Sequence, residues 1–173
     1  MIHFVGAGPG AVDLITVRGQ KLLETADQII YAGSLVNPQL LACAKKDCRI
    51  LDSAGMTLEA VIAAMEEGEG QGWMTVRLHT GDPSVYGAIR EQMDILSQKG
   101  LAYDVVPGVS SFCAAAASLQ AEYTLPGISQ SVIITRMEGR TPVPDKQKIA
   151  DYAAHQATMV IFLSASLLDG LQA

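Results

Sequence analysis

Met74-Thr75-Val76-Arg77-Leu78-His79 runs directly into Thr80-Gly81-Asp82-Pro83-Ser84-Val85-Tyr86-Gly87, and this passage decides the fold. The first six residues alternate apolar and polar, the period-two signature of a strand. Val85, Ile89 and Met93 then recur at helical spacing, and Gly100 offers a C-terminal stop. Asp82 before Pro83 has the form of an N-cap followed by the first helical residue. Small and acidic residues therefore sit between a strand's carboxyl end and a helix start, the place where open α/β sheets bind ligands.

The same alternation continues on both sides. Ile2-His3-Phe4-Val5 is a strand that enters Gly6-Ala7-Gly8-Pro9-Gly10. Helices are predicted over 16–25 and from Pro38, capped by Asn37, to about Lys46. Gln28–Tyr31 and Arg49–Leu51 are strands, and Leu58, Val61, Ile62 and Met65 share one helical face. Glu66 to Gly72 is expected to be a solvated turn. Leu101–Val106 is a further strand, ending in Pro107-Gly108-Val109-Ser110-Ser111. Strands and helices alternating at this spacing imply parallel βαβ units.

Beyond Ser111 the pattern changes. An alanine-rich helix over Phe112–Leu119 leads to a strand over Ser131–Arg136, a polar loop, a helix capped by Asp145 and running to about His155, and a buried strand over Thr158–Leu163. The fold class expected is α/β, with a mostly parallel sheet in a domain over 1–110. A second α/β domain over 111–173 looks incomplete, because a strand, a helix and a strand bury little by themselves.

Composition narrows the function classes. Of 173 residues, 49% are hydrophobic and 17% charged, as in a folded protein. The apolar runs are too short to span a bilayer, and Met1-Ile2-His3 lacks a basic leader, so a soluble, cytoplasmic protein is expected. A net charge of −6 argues against a nucleic-acid partner, which calls for a basic stripe. Cys43, Cys48 and Cys113, like His3, His79 and His155, lack metal-ligand spacing, so no metal is expected. The glycine loop fits a dinucleotide fingerprint poorly: Pro9 stiffens it, and no acidic residue ends the Gln28–Tyr31 strand. A tight strand-to-helix turn is the other reading of that loop.

Taken together, Gly6-Ala7-Gly8-Pro9-Gly10, Thr80-Gly81-Asp82-Pro83 and Val106-Pro107-Gly108-Val109-Ser110-Ser111 resemble the tetrapyrrole methylase family in order and spacing. Tyr31-Ala32-Gly33-Ser34-Leu35-Val36, Gly81 to Met93 and Thr135 to Pro144 narrow the similarity to a branch working in cobalamin synthesis. The resemblance covers the entire chain. It implies two α/β domains, a homodimer, a longer protein, and S-adenosylmethionine held between the domains as methyl donor. Carried over motif by motif, cofactor contacts fall on Pro9, Thr80, Gly81, Asp82, Val85, Ser110, Ser111 and Leu163. The acid–base pair of related uroporphyrinogen-III methylases is not carried over, since its positions fall near Ala32 and near Asp52 or Ser53.

For a tetrapyrrole substrate, Tyr31, Ser34 and Tyr86 are candidates from their places at strand ends or beside the glycine motif. Arg18, Arg77, Arg90, Arg136 and Arg140 are candidates by chemistry, because guanidinium binds carboxylates bidentately; the alternative for each is an exposed or interface arginine. The competing functions are a nucleotide-dependent oxidoreductase domain, a same-fold methylase acting on another precorrin, on RNA or on protein, and a tetrapyrrole carrier without activity.

Overall fold

The structure is a computed structural model that describes residues 1–139 and 141–172. It divides into two compact units, Met1–Ala114 and Ala115–Ala173. In the first, strands β1 (Ile2–Gly6), β2 (Gln28–Tyr31), β3 (Arg49–Asp52), β4 (Thr75–His79) and β5 (Tyr103–Val106) form one parallel sheet in the order β3-β2-β4-β1-β5. Three helices join them: α1 (Val17–Thr25), α2 (Leu58–Gly70) and α3 (Arg90–Gln98).

The strand order dictates where the helices lie. From β1 the chain moves one way across the sheet to β2 and β3; from β3 it returns through β4 to β5. Right-handed crossovers put connections of opposite direction on opposite faces. Leu23 of α1 and Leu40 accordingly pack with Val5, Val76 and Leu78 on one face. Val61 and Met65 of α2 and Leu96 of α3 pack with Ile2, Phe4 and Ile30 on the other. The connections leaving the neighbouring strands β1 and β4 depart to opposite faces, so their carboxyl ends form a topological switch point.

Local chemistry sets the element ends. Thr16 caps α1 by accepting from Gly19 N–H at 3.1 Å, and Thr57 caps α2 by accepting from Ala60 N–H at 3.2 Å. Asn37 caps as expected, but it opens a short 3-10 helix ending at Cys43 rather than an α-helix reaching Lys46. The solvated turn expected over Glu66–Gly72 is corrected, since α2 continues through Gly70. Its glutamates are engaged: Glu66 pairs with Lys99 and Glu67 with Arg49. Gly68 lets the helix lie against the sheet, for a Cβ there would meet Thr75 Oγ1 at 2.6 Å.

β4 is buried at every position, because helices cover both faces of the sheet. Its alternation sorts two buried faces, and the polar set (Thr75, Arg77, His79) goes under α2 and α3 rather than into solvent.

In the second unit β6 (Val132–Arg136) and β7 (Thr158–Phe162) pair in parallel, Val132 opposite Thr158. Helix α4 (Ser111–Leu119) precedes them, spanning the division between the units. The helix expected from Asp145 to His155 is a 3-10 turn over Asp145–Gln147 and a short α5 (Ile149–Ala153). Asp145 caps neither; its carboxylate pairs with Lys148 at 3.5 Å. β7, expected to be buried, is half-buried throughout, as suits a strand in a two-stranded sheet. A 3-10 turn over Ala165–Leu167 and α6 (Leu168–Gln172) come after it.

Candidate functional site

Three loops meet at the carboxyl edge of β1, β4 and β5. The β1 loop is laid against the β4 loop by backbone hydrogen bonds: Ala7 N–H to His79 C=O at 2.7 Å, Gly8 N–H to Gly81 C=O at 3.2 Å and Gly81 N–H to Gly8 C=O at 2.8 Å. Gly8 and Gly81 have φ of 78° and 59°, which glycine adopts without strain. A Cβ at Gly6 would lie 2.6 Å from both Gly108 Cα and Gly81 O, and one at Gly108 would lie 2.2 Å from Gly81 O. Side chains are thus excluded from the centre, and backbone packs on backbone.

Asp82 does not cap an α-helix, contrary to the expectation from Asp82-Pro83. α3 begins only at Arg90, and Asp82 instead closes a turn in which its Oδ1 accepts from Ser84 N–H at 2.8 Å and from the Ser84 hydroxyl. Its other oxygen accepts from Gly108 N–H at 2.9 Å, binding the β4 loop to the β5 loop. Burial alone would push this carboxyl up, but the hydrogen bonds from Ser84 and Gly108 outweigh it and hold it below the ordinary carboxylate range. It is therefore an ionised positioning group, poorly suited to carrying a proton.

Of the expected cofactor residues, Pro9, Thr80, Gly81, Asp82, Val85 and Ser110 fall on these three loops, and Ser111 opens α4. A Cβ on Gly81 would contact Ser110 Cα at 3.6 Å and Ser111 N at 3.7 Å, so the β4 loop abuts the start of α4. Ser110 is buried and Ser111 exposed. Between Asp82 and α3 the chain is coiled tightly: Tyr86 and Ala88 have φ of 54° and 51°, and a Cβ on Gly87 would sit 2.2 Å from Pro83 O. Tyr86 is exposed. Tyr31 closes β2, opposite Leu78 of β4, and Ser34 lies in the turn that follows. Leu163 belongs to the second unit; it comes just after β7 with φ 55° and, with Ile161, Ser164 and Leu168, lines a cavity of about 620 Å³.

The arginine candidates are redistributed. Arg77 is neither exposed nor at an interface: its guanidinium lies inside, donating to Gln92 Oε1 and to Ile30 C=O, both at 3.2 Å. Burial pushes it down to about 10, still charged at neutral pH. Arg136 donates to the carbonyls of Met137, Thr141 and Pro142, bracing its own loop. Arg90 pairs with Asp94 at 2.9 Å, Arg18 is exposed on α1, and Arg140 lies outside the described residues. The sequence assigned no role to Gly108, whose N–H donates to Asp82, nor to Asp52, which accepts from Gly33 N–H at 3.1 Å. Among the described residues no group of histidine, cysteine and carboxylate side chains could hold a metal ion, and no helix is long and apolar enough to cross a membrane.

A doubly wound parallel sheet with glycine-packed loops at its switch point defines an α/β protein of the class whose ligands sit at the carboxyl edge of the sheet. The chain belongs to the tetrapyrrole (corrin/porphyrin) methylases, whose family model matches residues 1–172. It is 58% identical over 168 residues to a cobalt-precorrin-4 C(11)-methyltransferase of Methanocaldococcus jannaschii, covering 97% of this chain and 65% of that protein. The X-ray structure of a cobalt precorrin-4 methyltransferase, a cobalamin biosynthetic enzyme, superposes with a TM-score of 0.95 at 49% identity, over 98% of this chain and 71% of that one. Uroporphyrin-III C-methyl transferase of Thermus thermophilus, complexed with S-adenyl homocysteine, gives 0.76 at 25% identity over 96% and 67%. The chain thus spans just under two thirds of the length of the Methanocaldococcus relative.

Proposed function

We propose that the chain serves an S-adenosylmethionine-dependent C-methyltransferase acting at C-11 of precorrin-4 or cobalt-precorrin-4 in cobalamin synthesis. The observation that carries this reading is the 58% identity to an enzyme of that name across 97% of the chain. It works as a cytoplasmic homodimer with no nucleic-acid or membrane partner.

The carboxyl edge fits the donor's chemistry. Gly8 and Gly81 carry no side chain to keep a ligand off the backbone, and Ser110–Ser111 stand where α4 begins, at the positive end of the helix dipole, which suits the donor's carboxylate. S-adenosylmethionine supplies an activated methyl group on a sulfonium, which moves by direct displacement and needs no metal. The residues of this chain hold and align. Pro9, Thr80 and Val85 shape the donor's bed, Asp82 fixes the β4 and β5 loops to each other, and Leu163 contributes an apolar contact. Tyr31, Ser34 and Tyr86 orient the tetrapyrrole. Alignment of this kind is worth about 7–11 kcal/mol in favourable cases. No general base is assigned.

Calorimetry with S-adenosylhomocysteine on full-length protein, with methyl transfer to cobalt-precorrin-4 followed by mass, tests this. Wild type should bind and transfer. Asp82→Ala should lose roughly 10-fold or more in affinity, the effect of freeing two loops held by charge-assisted hydrogen bonds. Binding of NAD without binding of S-adenosylhomocysteine would reject the methylase reading for a nucleotide-dependent oxidoreductase. A lowered melting temperature with unchanged affinity would reduce Asp82 to a turn-former.

A further inference from the structure

The carboxyl end of β2 carries a turn that is pinned at several points. Ala32 N–H donates to Leu78 C=O at 3.3 Å, and Leu35 and Val36 N–H return to Ala32 C=O at 3.2 and 3.1 Å. Val36 anchors in the core while Leu35, 69% exposed, stands at the tip beside Ser34. On one side Asn37 Nδ2 donates to Gly10 C=O at 2.7 Å, joining the turn to the glycine loop of β1. On the other side the end of β3 takes hold: Ser53 N–H and hydroxyl both donate to Tyr31 C=O, at 2.9 and 3.0 Å.

The fastening between these strands is Asp52. One carboxylate oxygen, Oδ1, accepts from Gly33 N–H at 3.1 Å and from Ala54 N–H at 2.9 Å. The carboxylate fills the space where a side chain on Gly33 would be, since a Cβ there would lie 2.1 Å from Oδ2 and 2.2 Å from Oδ1. Gly33 does not sit in the left-handed region, so it is glycine because of Asp52 rather than because of its φ. An exposed carboxylate is an unexpected choice beside a site for a polyanionic macrocycle, unless its hydrogen bonds outweigh the repulsion.

We propose that Asp52 is a positioning residue: by gripping Gly33 and Ala54 it fixes the Ala32–Val36 turn, which presents Tyr31, Ser34 and Leu35 to the tetrapyrrole. This rests on the methyltransferase reading above and adds the part of the site that holds the substrate rather than the donor. Because Asp52 acts at β2 and β3, its loss frees the turn without disturbing the Gly8–Gly81 and Asp82–Gly108 contacts between the other three loops.

The test uses full-length protein, cobalt-precorrin-4 and S-adenosylhomocysteine. Asp52→Ala should raise KM for the tetrapyrrole by about 10-fold, the effect of two lost backbone hydrogen bonds, with kcat and S-adenosylhomocysteine affinity within roughly two-fold of wild type. Asp52→Asn should stay within roughly two-fold in KM, because its amide oxygen can accept both N–H groups. Gly33→Ala should raise KM as Asp52→Ala does, and Gly33→Ala with Asp52→Ala should be no worse than either alone, since each removes the same grip. An unchanged KM in Asp52→Ala, equal damage in Asp52→Asn, a parallel loss of S-adenosylhomocysteine affinity, or additive effects at Gly33 and Asp52 would each overturn the proposal. Wild-type protein that binds S-adenosylhomocysteine but methylates no tetrapyrrole would instead sink the functional reading, and that control separates the two failures.

Discussion

Lowering the pH from about 7 to about 5 should weaken the fold through one residue, His79. Its ring is 5% exposed, stacks on Phe4 with centroids 6.0 Å apart, and leaves Nε2 without a hydrogen-bond partner. Burial, assisted by the nearby Arg77 charge, pushes the imidazole from 6.5 down to about 3. The folded protein therefore keeps His79 neutral while the unfolded chain takes up a proton as the pH falls below 6.5. Stability from this group is complete above 6.5 and is lost progressively down to about 3. Each pH unit inside the window costs about 1.4 kcal/mol, so the loss at pH 5 is about 2 kcal/mol. For a chain of this size that lowers the melting temperature by roughly 4–8 °C.

Asp27 and Asp82 are held below the ordinary carboxylate range, so their contributions are lost only as the pH falls from 3.8 downwards, outside the window used. His3 and His155 remain in any variant at position 79 and cancel in a comparison. Urea unfolding of wild type and His79→Phe across pH 5 to 7 is the assay. Phe keeps a ring against Phe4 and removes the titrating group, so the variant's stability should fall by about 2 kcal/mol less over this range. Equal pH slopes in the two proteins, or an NMR titration of His79 centred near 6.5, would refute the assignment.

Gly68→Ala should destabilise by about 1–3 kcal/mol because its methyl would meet Thr75 Oγ1 at 2.6 Å, whereas Gly70→Ala, with nothing within 4 Å, should stabilise α2 by about 0.5–1 kcal/mol; thermal unfolding of both checks the contrast. Gly108→Ala drives a methyl to 2.2 Å from Gly81 O and should reduce S-adenosylhomocysteine affinity by at least roughly 10-fold in calorimetry, a larger loss than at any single serine of the site. Ala88→Gly relieves a φ of 51° and should raise stability by about 1 kcal/mol, with retained activity showing that this strain is incidental to the site.

What the sequence made legible was local. The span of α1, the bounds of β2 and the loop after β4 are set by residues within a few positions of one another. The hidden features depend on partners far along the chain. Asp82-Pro83-Ser84 looks like a helix start until Gly108, 26 residues on, is seen to donate to the same carboxylate. Alternation in β4 cannot say whether its polar face meets water or helices, so Arg77 looked available to a substrate when it lies beneath α3. The glycines of Glu66–Gly72 looked like breakers, because nothing local reveals that Gly68 lies against Thr75 across the helix–sheet interface.

The site also explains why its side chains were hard to rank. Gly6, Gly81 and Gly108 bring three backbones so close that no Cβ fits at Gly6 or Gly108, and the polar groups on offer at the centre are main-chain N–H and C=O. A main-chain site is set by loop geometry, and loop geometry is set by residues that do not touch the ligand. Asp82 ties the β4 loop to Gly108, and Asp52 holds the β2 turn by the same device, a carboxylate closed over backbone N–H groups. Both carboxylates are thereby spent as acceptors. Aligning two bound reactants asks for held loops more than for a proton carrier, and holding loops is the work these two groups are placed to do.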